Sequence, residues 1–161
     1  MRRIFGLSVL FVSLSVSANA EMPKEGEYSY TACWSGTTDT SKFSGNVSLR
    51  KAEFTGVIHA DTPGGPFDKE TFHCIGIETT RDGKTSNGMT LCEASDKEGN
   101  KRLARFTTID DKVTREQVMG SGKYEGIIIT SSAVVPVGPL PQVKEGTMQA
   151  CNHQKGTYKL K

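Results

Sequence analysis

The chain has 161 residues, with 20 Lys and Arg, 18 Asp and Glu, and four cysteines. Two of the basic residues, Arg2 and Arg3, lie in an N-terminal leader, so basic and acidic residues are otherwise balanced. A balanced chain without a long basic run lacks the electrostatic basis for nucleic-acid binding, and its length fits one domain with a core of its own.

Residues 1–20 have the three parts of a secretory signal peptide. Arg2 and Arg3 form the positive part, an apolar stretch runs from Ile4 to about Val16, and Ala18-Asn19-Ala20 is a small-x-small cleavage site. The apolar stretch is shorter than the roughly 20 residues that span a bilayer, and no later segment is long enough. We therefore expect residues 21–161 to form a single exported domain without a membrane span. The bacterial style of the leader predicts a periplasmic or secreted location.

After the leader, glycines divide the chain into short segments rich in Thr, Ser, Val, Ile and Tyr, a pattern typical of strands. No long segment has the apolar spacing of a helix. The first predicted strand, Gly26–Ser35, places Tyr28, Tyr30, Ala32 and Trp34 on one face. The other predicted strands are 48–60, 70–80, 88–94, 101–110, 117–120, 122–132, 146–152 and 156–161. The last two can form one bent strand, so the count is eight or nine.

Turn sequences separate these strands, most clearly at Thr62–Pro66, Arg81–Lys84 and Asp96–Asn100. The segment Pro136–Pro141, PVGPLP, cannot be a central strand because its prolines lack donors, and we expect an exposed apolar loop there. Short strands joined in sequence by tight turns favour a meander. Closing about eight strands removes the exposed edges of the sheet. The sequence therefore predicts an all-β fold, a small closed antiparallel barrel.

The four cysteines of an exported chain indicate two disulfides, for which three connectivities exist. The midpoint between Cys74 and Cys92 falls on Gly83, within the predicted turn, so a hairpin would place these two cysteines opposite each other. That pairing leaves Cys33 with Cys151, which would join the first strand to the last. This connectivity ranks first, and a different pairing or free cysteines stay open. The spacing matches no zinc module.

The stretch Met119–Thr130, MGSGKYEGIIIT, contains the glycines and lysine of a phosphate-binding loop. Tyr124 stands where a P-loop needs Ser or Thr, and the β-branched run after the glycines favours a strand rather than the helix that a nucleotide fingerprint requires. We predict a tight connection that enters a strand. Gly120 and Gly122 would supply positive φ, and Gly126 would relieve crowding or bend the strand.

No other motif indicates catalysis, a metal or a cofactor. The histidines His59, His73 and His153 form no H-x-H or H-x-x-x-H pair. No G-x-S-x-G elbow supports a Ser-His-Asp triad. The paired carboxylates Asp110-Asp111 are followed by Lys112 in a run typical of a solvated turn, so they do not indicate general acid–base catalysis. We therefore assign no catalytic and no metal-binding residue.

Aromatic residues of the predicted inner face are the candidate ligand-binding residues, because core and pocket share one face in a small barrel. The candidate lining is Tyr28, Tyr30, Trp34, Phe54, Phe72, Phe106 and Tyr124. The PVGPLP loop is expected near the mouth.

Residues 70–161 resemble a group of small exported bacterial proteins. The resemblance is carried by Cys92, the acidic glycine turn Asp96–Lys101, Phe106, the G-x-G-K-Y-x-G-I stretch Gly120–Ile127 and the final Gly156-Thr157-Tyr158. The group is similar to allene oxide cyclase-like and calycin-like barrels, which implies an eight-stranded antiparallel barrel. It has no settled biochemical role, so the resemblance implies no catalytic residue.

These observations favour a non-enzymatic binding protein of the cell envelope, holding a small apolar molecule in its barrel or an envelope protein on its loops. One alternative is an enzyme of the cyclase or isomerase type, which needs a polar residue inside the barrel. A secreted protease inhibitor is another, since a disulfide-fastened barrel with a proline-bounded loop suits that task. The barrel interior separates these readings: an apolar cavity favours ligand binding, and a buried carboxylate or histidine pointing into a cavity favours catalysis.

Overall fold

A computed structural model of the chain describes residues 22–43, 45–138 and 140–161. The predicted signal peptide, residues 1–20, lies outside the described residues, as does Pro139 of the PVGPLP loop. The described part of the chain contains no helix with the length and apolar composition of a membrane span.

Eight strands and one short 3₁₀ turn make up the fold of the described residues. The strands are β1 (Glu25–Lys42), β2 (Val47–Ala60), β3 (Thr71–Arg81), β4 (Lys84–Ser95), β5 (Lys101–Ile109), β6 (Lys112–Gly120), β7 (Ile128–Pro136) and β8 (Thr147–Lys159). The 3₁₀ turn, Gly122–Tyr124, lies between β6 and β7.

The strands form one antiparallel sheet in the order β6-β5-β4-β3-β2-β1-β8-β7. The first strand therefore pairs with both the second and the last, as the predicted closure requires. β6 and β7 meet side by side, without a backbone ladder between them in the described ranges. The predicted all-β barrel of eight antiparallel strands is confirmed, and it is nearly closed.

Turn chemistry explains the hairpins β3–β4 and β5–β6. Asp82 and Gly83 have φ of 52° and 77°, and Asp110 and Asp111 have φ of 49° and 61°. Two consecutive residues with positive φ define the type I′ turn, whose twist matches that of paired strands, and Asp tolerates this region better than most residues. Both segments were expected to be turns from their sequence.

Both predicted disulfides are present. Cys74 faces Cys92 across β3 and β4, Cys33 faces Cys151 across β1 and β8, and the Cα atoms are 4.1 Å apart in each pair. Strand alternation puts Cys33 on the outer face, because its neighbours Ala32 and Trp34 point inward. The Cys74–Cys92 bridge lines the interior. One bridge therefore fastens the outside of the barrel and the other forms part of its inner wall.

The three largest differences from the predicted strand boundaries are in β1, β6 and β7. β1 continues to Lys42 and β6 begins at Lys112, because polar, solvent-facing residues extend both hairpins beyond the apolar segments that marked them. β7 begins only at Ile128, since Gly122–Gly126 forms a turn before it. The last two predicted strands are one strand, β8.

The hairpins and loops define two ends of the barrel. The hairpin connections β1–β2, β3–β4, β5–β6 and β7–β8 lie at one end, called here the mouth. The connections β2–β3, β4–β5 and β6–β7 lie at the other end with both termini, called here the floor. The buried core occupies the floor half and consists of Tyr28, Tyr30, Ala32, Ile58, Phe67, Tyr124, Ile127 and Tyr158.

Candidate functional site

The mouth half of the barrel contains a cavity of about 430 Å³. It extends from Tyr30 and Arg102 at its inner end to Asp111, Pro136 and Gly138 at the mouth. Aromatic and aliphatic side chains form most of its wall, with Thr90, Thr108, Asn152 and Gln154 as polar contributors. This volume lies in the usual range of small-molecule sites, about 300–1,000 Å³.

The cavity brings together five of the seven aromatic residues predicted to line it, namely Tyr30, Trp34, Phe54, Phe72 and Phe106. The Trp34 ring packs against Phe54 at a centroid distance of 5.5 Å and against Phe72 at 6.5 Å. The Trp34 Nε1–H is buried and has no hydrogen-bond partner among the described residues. The three rings form one aromatic wall, which includes the Trp34 N–H as a donor without an acceptor among the described residues.

The other two predicted lining residues, Tyr28 and Tyr124, lie elsewhere. Both are about 98% buried or more, and both contact Phe67 in the packed floor. Strand alternation correctly indicated that Tyr28 points inward, but alternation cannot tell how deep in a barrel a side chain lies. The correction is that these two rings support the cavity from below and do not form its wall.

Phe67 closes the floor, and no sequence pattern had marked it as a core residue. It comes from the β2–β3 connection, and its ring contacts Tyr28, Tyr30, Tyr124 and Tyr158 at centroid distances of 5.4–6.0 Å. Its φ of 67° is uncommon for a bulky residue. Such a conformation persists only where the surroundings fix it, here the four tyrosine rings. An aromatic residue within a Pro- and Gly-rich connection was the available signal.

A buried ion pair lies beside this plug. Glu70 Oε2 accepts hydrogen bonds from Arg102 Nε at 2.8 Å and Arg102 Nη2 at 2.7 Å. The Arg102 guanidinium also stacks over the Phe67 ring, 4.3 Å from its centroid. Burial, the largest single effect, lowers the pKa of Arg102, but the charge and hydrogen bond of Glu70, with further contributions from Tyr30 and Tyr124, together raise it, so the arginine stays charged.

The same carboxylate affects Tyr124. Burial, with a further contribution from Glu70, raises the pKa of the Tyr124 hydroxyl far above its usual range, so the phenol stays neutral. Glu70 is completely buried and does not line the cavity. The one carboxylate in the cavity wall is the exposed Asp111, which accepts a hydrogen bond from the Thr85 backbone N–H. Within the described ranges, the geometry therefore offers no buried carboxylate for general acid–base chemistry in the cavity.

A second arginine lies in the interior next to the cavity wall. Arg115 of β6 donates from Nη1 to Tyr30 Oη at 2.9 Å and to Gln154 Oε1 at 3.1 Å. Tyr30 Oη donates to the same Gln154 oxygen at 2.8 Å. The Arg115 guanidinium lies 5.3 Å from the Tyr28 ring centroid and 5.8 Å from that of Phe106. It shows no ion pair within the described part of the chain.

A Ser-His-Asp cluster occurs on the barrel's outer face. Ser29 Oγ donates to Asp61 Oδ2 at 2.6 Å, and His153 Nε2 lies 3.2 Å from Ser29 Oγ and 3.0 Å from Asp61 Oδ2. The hydrogen bond from Ser29, followed by that from His153, lowers the pKa of the Asp61 carboxyl. A catalytic triad needs the serine and the carboxylate on different imidazole nitrogens. Here one nitrogen faces both, so the cluster has the wrong geometry for a hydrolase.

The remaining histidines lie apart from this cluster. His73 pairs with the exposed Glu53 at 2.8 Å, and His59 lies in β2. In the described ranges no group of three His, Cys, Asp or Glu side chains is arranged to hold a metal ion.

The MGSGKYEGIIIT stretch forms a turn that connects two floor loops. Lys123 Nζ donates to Asp96 Oδ2 at 2.8 Å, and the Lys123 N–H donates to Asn100 Oδ1 at 3.1 Å. Gly122 has the predicted positive φ, 60°, and a Cβ on it would lie 2.0 Å from Asn100 Oδ1. The predicted tight connection is confirmed, with the lysine engaged by a carboxylate.

The other two glycines of the stretch differ in part from the prediction. Gly120 is needed for space and not for positive φ, because a Cβ there would lie 2.0 Å from the carbonyl oxygen of Tyr124. Gly126 has φ of 69° and lies in the turn before β7, so it does not bend a strand. A Cβ on Gly126 would lie 3.0 Å from Lys161 Cβ, in agreement with the predicted relief of crowding.

Comparison with protein-family models, with characterised proteins and with solved structures finds no match to this chain. The resemblance to small exported barrels through G-x-G-K-Y-x-G-I stays a prediction.

Proposed function

We propose that this protein is an exported, non-enzymatic binding protein that holds a small apolar molecule in the mouth half of its barrel. The observation that carries the proposal is the cavity of about 430 Å³, with its wall of Trp34, Phe54, Phe72 and Phe106. Exposed apolar surface in a concave site favours occupation by an apolar ligand.

The packed floor supports a binding role because it closes the inner end of the cavity. Phe67 and the Glu70–Arg102 pair fill that end, so the mouth is the end through which we expect a molecule to enter. Pro136 and Gly138 of the PVGPLP segment border that entrance. Export is supported by the leader pattern of residues 1–20, and the two disulfides are compatible with an oxidising compartment.

The first test uses the neutral fluorescent probe N-phenyl-1-naphthylamine with protein secreted into a bacterial periplasm. Trp34 is the chain's single tryptophan and lines the cavity, so its emission should change when the probe binds, with one probe per chain. Native mass spectrometry of the same preparation should reveal a co-purified small molecule.

A matched pair of variants locates the site. Ala150→Phe adds a ring inside the cavity opposite Trp34, whereas Thr37→Phe adds the same ring at an exposed position of β1. We expect the first variant to lose probe binding and the second to keep it, with both folded by circular dichroism. Equal probe binding by both variants would contradict a ligand in the barrel.

A further inference from the structure

We infer that the molecule held in the barrel is an amphiphile with an anionic head group, which binds at the inner end of the cavity under the influence of Arg115. This inference rests on the proposed function, since it names the chemistry of the ligand in the same cavity. Arg102 and Arg115 differ in the groups that they contact.

Among the described residues, Arg102 has a counter-ion and Arg115 does not. Arg102 is held by the Glu70 carboxylate, whereas the hydrogen-bond acceptors of Arg115 are the neutral oxygens of Tyr30 and Gln154. The Nε and Nη2 atoms of Arg115 are buried and have no hydrogen-bond partner among the described residues. A guanidinium cannot lose its proton at physiological pH, so the partly buried Arg115 keeps a positive charge that no carboxylate of the described residues pairs with.

An unpaired charge inside a protein is unfavourable, and an anion brought nearby offsets that cost. The aromatic rings of Tyr28 and Phe106 stabilise the guanidinium only partly, since such contacts are weaker than an ion pair. Water screens the charge less inside a barrel than at the surface. Its positive potential therefore reaches into the adjacent cavity.

The polar part of the cavity wall lies at this place. Tyr30 and Gln154 line the cavity and are the two residues to which Arg115 donates hydrogen bonds, and Asn152 lines the cavity beside them. Gln154 Nε2 donates to Asn152 Oδ1 at 3.0 Å, which orders the two amides. A carboxylate at this position meets amide and hydroxyl groups backed by a cation, while an alkyl tail lies along Trp34, Phe54 and Phe72.

Asp111 is the charged residue of the cavity wall that opposes this assignment. It lies at the mouth in the β5–β6 turn, is exposed to solvent, and is engaged by the Thr85 N–H. Solvent screens its charge at that position. The arrangement places a negative group at the entrance and a positive group at the inner end, which orients an anionic amphiphile head-first.

The experiment compares decanoate with decanol, which share a chain length and differ in the charge of the head group. Each is titrated against bound N-phenyl-1-naphthylamine. We expect decanoate to displace the probe at a concentration at least about tenfold lower than decanol, as a charge-assisted contact requires. In Arg115→Met this preference should disappear while decanol affinity stays the same, and in Arg115→Lys most of it should remain.

Arg105→Met is the matched control, because Arg105 pairs with Glu116 on the outer surface of the neighbouring strand. It should retain the full preference for decanoate. Equal displacement by the two compounds in the wild type, or an unchanged preference in Arg115→Met, overturns the inference and leaves the binding function intact. Failure of the probe and of both compounds to bind overturns the binding function as well.

Discussion

Replacing Glu70 by glutamine should destabilise the protein strongly, because the substitution keeps the side-chain size and removes only the charge. The Arg102 side chain is 3% exposed and the Glu70 side chain is 0% exposed, so water cannot replace the lost carboxylate. Removing one partner of a buried pair costs about 3–5 kcal/mol, since the other charge is left without compensation. For a domain of this size that corresponds to a fall in melting temperature of about 10–15 °C.

The assay is urea denaturation at pH 7, followed by Trp34 fluorescence and by circular dichroism. Glu93→Gln is the control: it removes a carboxylate from an ion pair with Lys101 in which both side chains are more than half exposed, so it should shift the urea midpoint far less than Glu70→Gln does. The double variant Glu70→Leu/Arg102→Met should recover most of the lost stability, because it removes both charges. A Glu70→Gln protein within about 1 kcal/mol of the wild type would refute the reasoning.

Two further predictions concern the floor loops. The pKa of Asp96 falls to about 2 because hydrogen bonds from Lys123 and Asn100 outweigh the opposing effect of burial. A lowered carboxyl pKa stabilises the fold at pH values above the ordinary pKa of 3.8, so about 2 kcal/mol of unfolding free energy should be lost as the pH falls from about 4 to 2. Urea midpoints measured across that pH range should show this loss in the wild type and not in Asp96→Asn. An unchanged loss in the variant would contradict the assignment. Gly122→Ala should lower the urea midpoint more than Gly99→Ala does. Both glycines have positive φ, but only at Gly122 would a Cβ lie 2.0 Å from another residue, at Asn100 Oδ1. Equal losses would show that the contact with Asn100 relaxes without cost.

Sequence patterns predicted the all-β barrel well, because strand alternation and turn residues are local signals. The Cys74–Cys92 pairing was predicted from a turn at Gly83. The observed turn is Asp82-Gly83, and a register shift between Thr79 and Thr80 aligns the two cysteines. Each inward-facing aromatic residue that alternation selected does face the interior. Depth along the barrel axis is a different quantity, since it depends on which loops fold back inside, and this is why Tyr28 and Tyr124 were assigned to the cavity wall.

Phe67, Arg102 and Arg115 show what local patterns miss. Phe67 lies in a connection and reaches the core through an uncommon backbone conformation. Arg102 alternates with outward residues of β5 and reads as a solvated charge until its partner, 32 positions earlier in the chain, is known. Arg115 likewise lies in a polar strand. It contacts Tyr30 and Gln154 only because the barrel closes and places β6 near β7 and β8. Their roles depend on contacts between residues distant in sequence.

The two arginines lie in different surroundings. Arg102 pairs with Glu70 beside Phe67 and its tyrosines, at the inner end of the cavity. Arg115 donates hydrogen bonds to Tyr30 and Gln154, which line the cavity, so a counter-ion from outside can approach it there. If the role of Arg115 were structural, we would expect an interior carboxylate to neutralise its charge, as Glu70 does for Arg102. A binding role accounts for both the missing counter-ion and the space left beside it.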